Sequence, residues 1–400
     1  MHIKRIKSFI KSKLSHQQVD LVRLTKEVLK KPYRLSRELN NFKYHQSKLR
    51  TEKIDYLPPM FAATIVDSCN LRCPNCLYIL DNPNKFYNSH ISSEKFEELL
   101  EKYNKDMKAE TMFLTGGEPL IHPEFDKLVK ISRKYKMSPK VATNGILIMN
   151  KPESLLDLDY VNVSMDSYDY ETFKKYRGGT KRQFDRILEG LIFLKENNIH
   201  FGLSYVISAE NVFEMEKMIE FSERYMPSFA YFHNINPHGS DKFKSLTSQD
   251  KNSMKHLSKI LERNDYKIDI QTTHIFDKES PNFRKAKCIQ PWNYFCFNSK
   301  GDIGLCCHME HDKKNGNVFK DYNFNSNEMV NWRKKIMSDK IEDICLYCQR
   351  RFLDEQEFAF FDSKNQRWVM SYQGDTIIKN LKQIFTDIQV NQSNQPHIHN

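Results

Sequence analysis

The stretch Phe61-Ala-Ala-Thr-Ile-Val66 runs directly into Asp67-Ser-Cys69-Asn-Leu-Arg-Cys73-Pro-Asn-Cys76. The first six residues are apolar or β-branched and follow the stiff pair Pro58-Pro59, which reads as a buried strand entered from a rigid turn. The loop behind it carries three cysteines spaced C-x3-C-x2-C. Three thiolates on one short loop can hold three irons of a 4Fe-4S cube and leave the fourth iron open for chemistry. A zinc knuckle or three buried cysteines is the alternative, but zinc sites usually close with four ligands, and no fourth Cys or His follows closely.

Working outward, the same alternation recurs. Short apolar runs at 61–66, 111–115, 140–143, 160–165, 201–207 and 228–233 read as strands. Amphipathic stretches at 93–103, 123–136, 181–197 and 212–225 read as helices between them. Strand–helix units in series imply a parallel sheet with right-handed crossovers. The expected fold class is therefore α/β: a partial (β/α)6 TIM-type barrel at 58–275, whose site forms at the C-terminal ends of its strands. The cysteine triplet follows the first strand and falls at that face.

The flanks differ. Residues 1–50 hold 14 Lys and Arg against 3 Asp and Glu, whereas the remaining 350 residues hold 48 of each sign. Ile3, Ile6, Ile10 and Leu14 recur at helical spacing among lysines, so 1–57 reads as a basic amphipathic helical extension. Residues 1–31 offer a peripheral membrane contact, or else packing on the barrel. The neutral body argues against nucleic acid, which needs local positive charge. No apolar run is long enough to span a bilayer and lysines interrupt any signal-peptide core, so a cytoplasmic location is expected, with nine reduced cysteines acting as metal or redox ligands. Residues 276–352 carry six of those cysteines, with a hairpin turn at Asn298-Ser-Lys-Gly301. Residues 353–400 read as polar, with one helix near 374–386 and a disordered tail.

After the second strand comes Thr115-Gly116-Gly117-Glu118-Pro119. Two glycines permit close backbone approach to a ligand, and Glu118 can meet an ammonium group. With the cysteine triplet, this resembles the radical S-adenosylmethionine (radical SAM) superfamily. The resemblance implies that Cys69, Cys73 and Cys76 hold a 4Fe-4S cluster whose open iron is chelated by SAM. It also implies that an electron from a low-potential donor such as flavodoxin or ferredoxin cleaves SAM to a 5′-deoxyadenosyl radical, which abstracts a substrate hydrogen. By position it further implies SAM contacts at Gly116, Gly117, Glu118, Asn144 in Thr143-Asn144-Gly145, Ser164 and Asp166 in Asn162-Val-Ser-Met-Asp166, and Arg177 in Tyr176-Arg-Gly178. The chain departs from the family at Asn75, where an aromatic residue often packs on adenine; Tyr78 is a substitute from the other side.

A second set, Cys288, Cys306, Cys345 and Cys348, has the spacing C-x17-C-x38-C-x2-C. It resembles the SPASM/twitch module of radical SAM enzymes and implies an auxiliary 4Fe-4S cluster that takes back an electron; an all-cysteine zinc site is the alternative. Six cysteines outside the triplet suffice for one complete further cluster, because two would need eight. Cys307 competes with Cys306 as ligand, Cys296 is spare, and His308 and His311 read as solvated. The function these features imply is a radical SAM oxidoreductase or maturase acting on a peptide or a small sugar- or lipid-linked precursor. His233, His238, Asp241 and Asp277 are unranked candidate bases. The rival function is a non-enzymatic iron–sulfur or zinc scaffold that binds partners through its basic arm.

Overall fold

The computed structural model describes residues 35–76, 89–236 and 243–351, apart from 264, 310, 321, 339 and 349, together with the backbone of 352, 360–362 and 367–369. The expected basic helix at 1–31, Tyr78, His238, Asp241 and the helix near 374–386 lie outside the described residues.

After a first helix α1 (Leu35–Ser47), seven strands alternate with helices: β1 (Met60–Val66), α2 (Ser93–Asn104), β2 (Thr111–Gly116), α3 (Phe125–Lys134), β3 (Ser138–Thr143), α4 (Pro152–Leu156) and β4 (Tyr160–Ser164), then α5 (Tyr170–Arg177), α6 (Lys181–Glu196), β5 (Phe201–Ile207), α7 (Met215–Tyr225), β6 (Phe229–Asn234), α8 (Lys251–Glu262) and β7 (Asp269–Thr272). β1 to β7 pair in parallel in sequence order. This is the partial TIM-type barrel read from the sequence, with a seventh strand and the helix before it added. The short, polar β7 (Asp-Ile-Gln-Thr) gives no apolar run to find. Strand alternation sends Phe61, Ala63 and Ile65 into the main core under the helices, and Met60 and Ala62 to the opposite face.

The C-terminal segment continues this sheet. After β8 (Lys287–Cys288) and the turn-like α9 (Gln290–Asn293), β9 (Tyr294–Phe297) pairs in parallel with β1, and β10 (Asp302–Gly304) and β11 (Asp312–Asn317) extend it antiparallel. The expected hairpin at 298–301 joins β9 to β10: Gly301 donates to Asn298 O at 2.9 Å and sits at φ +83°, a conformation that suits glycine. α10 (Asn327–Met337) follows, then β12 (Arg351–Phe352), which pairs with β8. A backbone hairpin of β13 (Phe360–Asp362) and β14 (Arg367–Val369) lies beyond.

The division at 57/58 and 275/276 does not separate independent packing units. Tyr44, Ile54 and Tyr56 share a second core with Trp292, Met329, Trp332 and Ile336. Arg333, 1% exposed, donates to the carbonyls of Glu52, Pro291 and Phe324 at 3.0 Å each. Trp292 Nε1 donates to Thr51 O at 2.7 Å. Residues 35–57 are thus clamped by residues more than 200 positions away, which no local pattern reveals.

Candidate functional site

The triplet loop leaves β1 at Val66 and is held from three sides. From β2, Gly117 N donates to Val66 O at 2.9 Å and Glu118 N to Ser68 O at 2.8 Å. A Cβ on Gly116 would lie 2.3 Å from Val66 O, and one on Gly117 2.2 Å from Ser68 O. The two glycines are therefore required by the cysteine loop's own backbone, a contact the sequence does not show.

The Glu118 side chain also turns inward. Its carboxylate is 1% exposed and accepts from Leu120 N (3.1 Å), Thr143 Oγ1 (2.6 Å) and Asn144 N (2.7 Å). Burial raises its pKa against those bonds. The side chain ties the end of β2 to the end of β3. Asn144, placed by that tie, donates to Asn70 Oδ1 at 2.7 Å and reaches Cys69 Sγ at 3.9 Å.

The third side is the α5–α6 turn. Asp169 and Thr180 both form capping boxes, and Gly178 ends α5 in the left-handed region at φ +67°. A Cβ on Gly178 would stand 2.9 Å from Arg72 O. Gln183 donates from Nε2 to Asn70 O at 3.1 Å, and Arg72 donates from Nη1 to Cys69 O at 2.9 Å. Gln183, Asn70 and Arg72 were missed in the sequence; the Thr-x-x-Gln capping pattern at 180–183 signals the helix start but not its second contact.

Arg177 and Asp166 form one ion pair, Nη1 to Oδ2 at 2.7 Å, with side chains 13% and 11% exposed. Asp166 sits at φ +51° and accepts from Val206 N at 2.7 Å through Oδ1, so β5 fixes it. Arg177 is thus no surface arginine. Burial opposes its charge, but the negative groups Cys73, Asp166 and Cys76 outweigh burial and hold its pKa up. Among the described residues its Nε is buried without a partner, a donor left for a ligand beside the cysteines. Ser164 ends β4 next to Ser204 of β5, and among the described residues its hydroxyl makes no bond to the loop.

Burial pushes the Cys73 thiol up to about 11 and raises Cys69. A cationic metal group is what would deprotonate such thiols outright. Three neighbouring thiols with a spare guanidinium donor therefore fit a 4Fe-4S cluster.

The quartet also converges. Cys288, Cys306, Cys345 and Cys348 line one cavity, whose wall includes Gln290, His308 and Trp332, whereas Cys307 does not line it and reaches Gln290 Oε1 at 3.7 Å. His308 is thereby placed at the cavity rather than simply in solvent. Among the described residues, Gln290 Nε2 and Trp332 Nε1 are buried donors with no partner. Among the described residues, no three Cys, His, Asp or Glu side chains are arranged to hold one metal ion. Four thiols around one cavity can line either a cluster or a zinc site.

Of the candidate bases, Asp277 accepts from Ser248 N, Ser248 Oγ and Glu279 N, a turn-capping role. His233, near the end of β6, lies 3.5 Å from Ser204 Oγ through Nδ1 and 5.5 Å ring to ring from Tyr231, and burial lowers its pKa to about 4.

Residues 64–222 match the radical SAM superfamily. That segment is a radical SAM domain, and members of the superfamily bind a 4Fe-4S cluster and SAM. It is 29% identical over 181 residues to the Fe-coproporphyrin III synthase of Methanosarcina barkeri, covering 44% of each chain. It is 30% identical over 210 residues to the GTP 3',8-cyclase of Clostridium perfringens, covering 50% of this chain and 61% of that one. The chain thus spans less than two thirds of the length of these two relatives. Among solved structures, SuiB of Streptococcus suis bound to S-adenosylmethionine aligns with TM-score 0.58 at 14% identity, over 78% of this chain and 77% of that one. Native anSMEcpe with bound AdoMet and Cp18Cys peptide aligns with TM-score 0.54 at 16% identity, over 83% and 100%. These two likenesses concern the fold. Among the described residues, no helix is long and apolar enough to cross a membrane.

Proposed function

We propose that this chain is a radical SAM enzyme that cleaves SAM at the Cys69, Cys73 and Cys76 site and removes a hydrogen from a peptide, or from a small sugar- or lipid-linked precursor. The quartet Cys288, Cys306, Cys345 and Cys348 holds a second 4Fe-4S cluster that accepts the electron left on the substrate. The observation that carries this reading is Arg177: a buried cation beside Cys73 and Cys76, anchored on Asp166, with an N–H still unpartnered among the described residues. When bound, the cluster and SAM supply one-electron reduction and a hydrogen-abstracting radical.

The chain's own residues bind, orient and shield. Arg177 presents a guanidinium to a carboxylate, a contact with fixed geometry. Asn144 steadies Cys69. Asn162, Ser164, Ser204, Tyr231 and His233 alternate with the helix-facing residues of β4 to β6, so they form a neutral polar wall on the sheet's other face. Such a wall suits an amide or hydroxyl-bearing substrate, and neutral His233 can take a proton there. The peptide reading is favoured by the solved SuiB complex with precursor peptide SuiA, which aligns over 86% of this chain and 80% of that one at TM-score 0.56. A flavodoxin- or ferredoxin-like donor and a cytoplasmic setting, with or without membrane contact by residues 1–31, belong to the same proposal.

Anaerobically reconstituted protein with dithionite and SAM is expected to release 5′-deoxyadenosine, and Cys76→Ala to release none. A reduced, intact cluster that leaves SAM uncleaved would falsify the proposal and favour the scaffold reading. Iron content of about eight per chain, two 4Fe-4S cubes, is expected, with zinc absent.

A further inference from the structure

We propose that Ser299, in the turn of the β9–β10 hairpin, is a positioning residue for the triplet loop and acts on it through Asp67. The inference rests on the reading of the triplet as a SAM-binding cluster site.

Asp67 stands two residues before Cys69 and is 8% exposed. Its Oδ2 accepts from Ser89 Oγ at 2.5 Å and from Ser299 Oγ at 3.0 Å, and the two hydroxyls lie 2.8 Å apart. Two hydroxyl protons serve three short contacts, so the three groups act as one closed ring. Each member is fixed independently. Asp67 N donates to Ser89 O at 3.0 Å, and Ile91 N donates to Ile65 O at 3.0 Å, which lays residues 89–91 along the end of β1. Ser299, 7% exposed, is presented by a turn in which Asn298 Oδ1 accepts from Lys300 N and Asp302 N at 3.0 and 2.9 Å.

The loop therefore leaves β1 under two clamps. The Gly117 and Glu118 amides hold the backbone on either side of Asp67, and the serine pair holds its side chain. The first clamp belongs to the barrel. The second is shared: Ser89 comes from the segment just before α2, and Ser299 from a hairpin more than 200 residues away, whose β9 strand is paired with β1 and whose β10 strand leads to Cys306. The C-terminal segment thus sets the entry of the first cysteine ligand. Groups that orient metal ligands from behind matter nearly as much as the ligands, and losing one typically costs about 10–100-fold in affinity or activity.

The test uses the full chain, reconstituted anaerobically. Ser299→Ala is expected to keep its iron and its denaturant midpoint. It should bind SAM about tenfold more weakly by equilibrium dialysis, and the paramagnetic resonance signal of its reduced, SAM-bound cluster should shift. Asp67→Asn should reproduce the effect and Ser299→Thr, which keeps the hydroxyl, should reverse it. Wild-type affinity and an unchanged signal in Ser299→Ala overturn the inference. Loss of iron or of fold in Ser299→Ala that Ser299→Thr fails to recover also overturns it, since that marks a merely structural turn. A wild-type chain that binds no SAM sinks the reading of the triplet itself.

Discussion

At Arg177, burial and charge oppose each other, and the neighbours decide. The guanidinium is kept charged by Asp166 and the cysteines, so its removal leaves a buried carboxylate unpaired. Arg177→Met is expected to cost about 3 kcal/mol in denaturant unfolding. Arg177→Lys keeps the charge and should recover much of that stability while SAM binding stays weak, because an ammonium cannot bond Asp166 and a ligand in one plane. Trp332 offers a second test at this scale. Among the described residues its N–H in the quartet cavity has no partner, so it would donate to sulfur of the proposed cluster, and such bonds raise the reduction potential. Trp332→Phe should lower the potential of the C-terminal cluster and leave that of the first unchanged in a redox titration. The sequence carried all the cysteines and Arg177 openly, since spacing and motif order are visible in one dimension. It does not show the protein partners of Glu118 and Gly117, because a residue's partner depends on which strand lies beside it.

At the scale of elements, β2 and the triplet loop meet so closely that a methyl group does not fit. A Cβ on Gly117 would stand 2.2 Å from Ser68 O, a backbone atom that cannot swing away. Gly117→Ala is expected to cost about 1–3 kcal/mol and to lower iron retention during gel filtration, with circular dichroism otherwise preserved. Helices and strands of the barrel were legible because their apolar periods differ, 3.6 against 2. The 212–225 stretch begins as a 3-10 turn at Val212–Glu214 before α7, a tightening that periodicity does not report. β7 and β9 are four residues each, too short for alternation to declare them.

At the scale of the whole molecule, the two ends of the described chain close one structure. β9 covers the edge of β1, so a fragment of residues 58–275 would expose that strand's unpaired backbone together with Met60 and Ala62, which pack on Tyr294 and Cys296. It is expected to aggregate in size-exclusion chromatography where the full chain does not. Acid is a second global test. Burial lowers the pKa of His122 to about 4, where its Nδ1 accepts from Glu124 N and its Nε2 bonds Ile91 O, and also lowers His274 to about 4. In the unfolded chain these histidines take up protons near 6.5, so between about 6.5 and 4 the unfolded state binds more protons. Stability should therefore be full above pH 6.5 and fall as pH drops toward 4, measured by denaturant titration across that range.

The order of strand, cysteine loop, strand and glycine pair determined the class of this protein by sequence alone, because ligand spacing and hydrophobic period are local properties of a chain. Tertiary structure alone decided what each group touches: that Glu118 is tied inward, that Arg177 leans on Asp166, that Cys306 rather than Cys307 lines the cavity, and that Ser299 reaches Asp67. Those contacts join residues far apart in the chain, and the packing of β9 against β1 sets the hairpin that leads to Cys306 beside the strand that leads to Cys69.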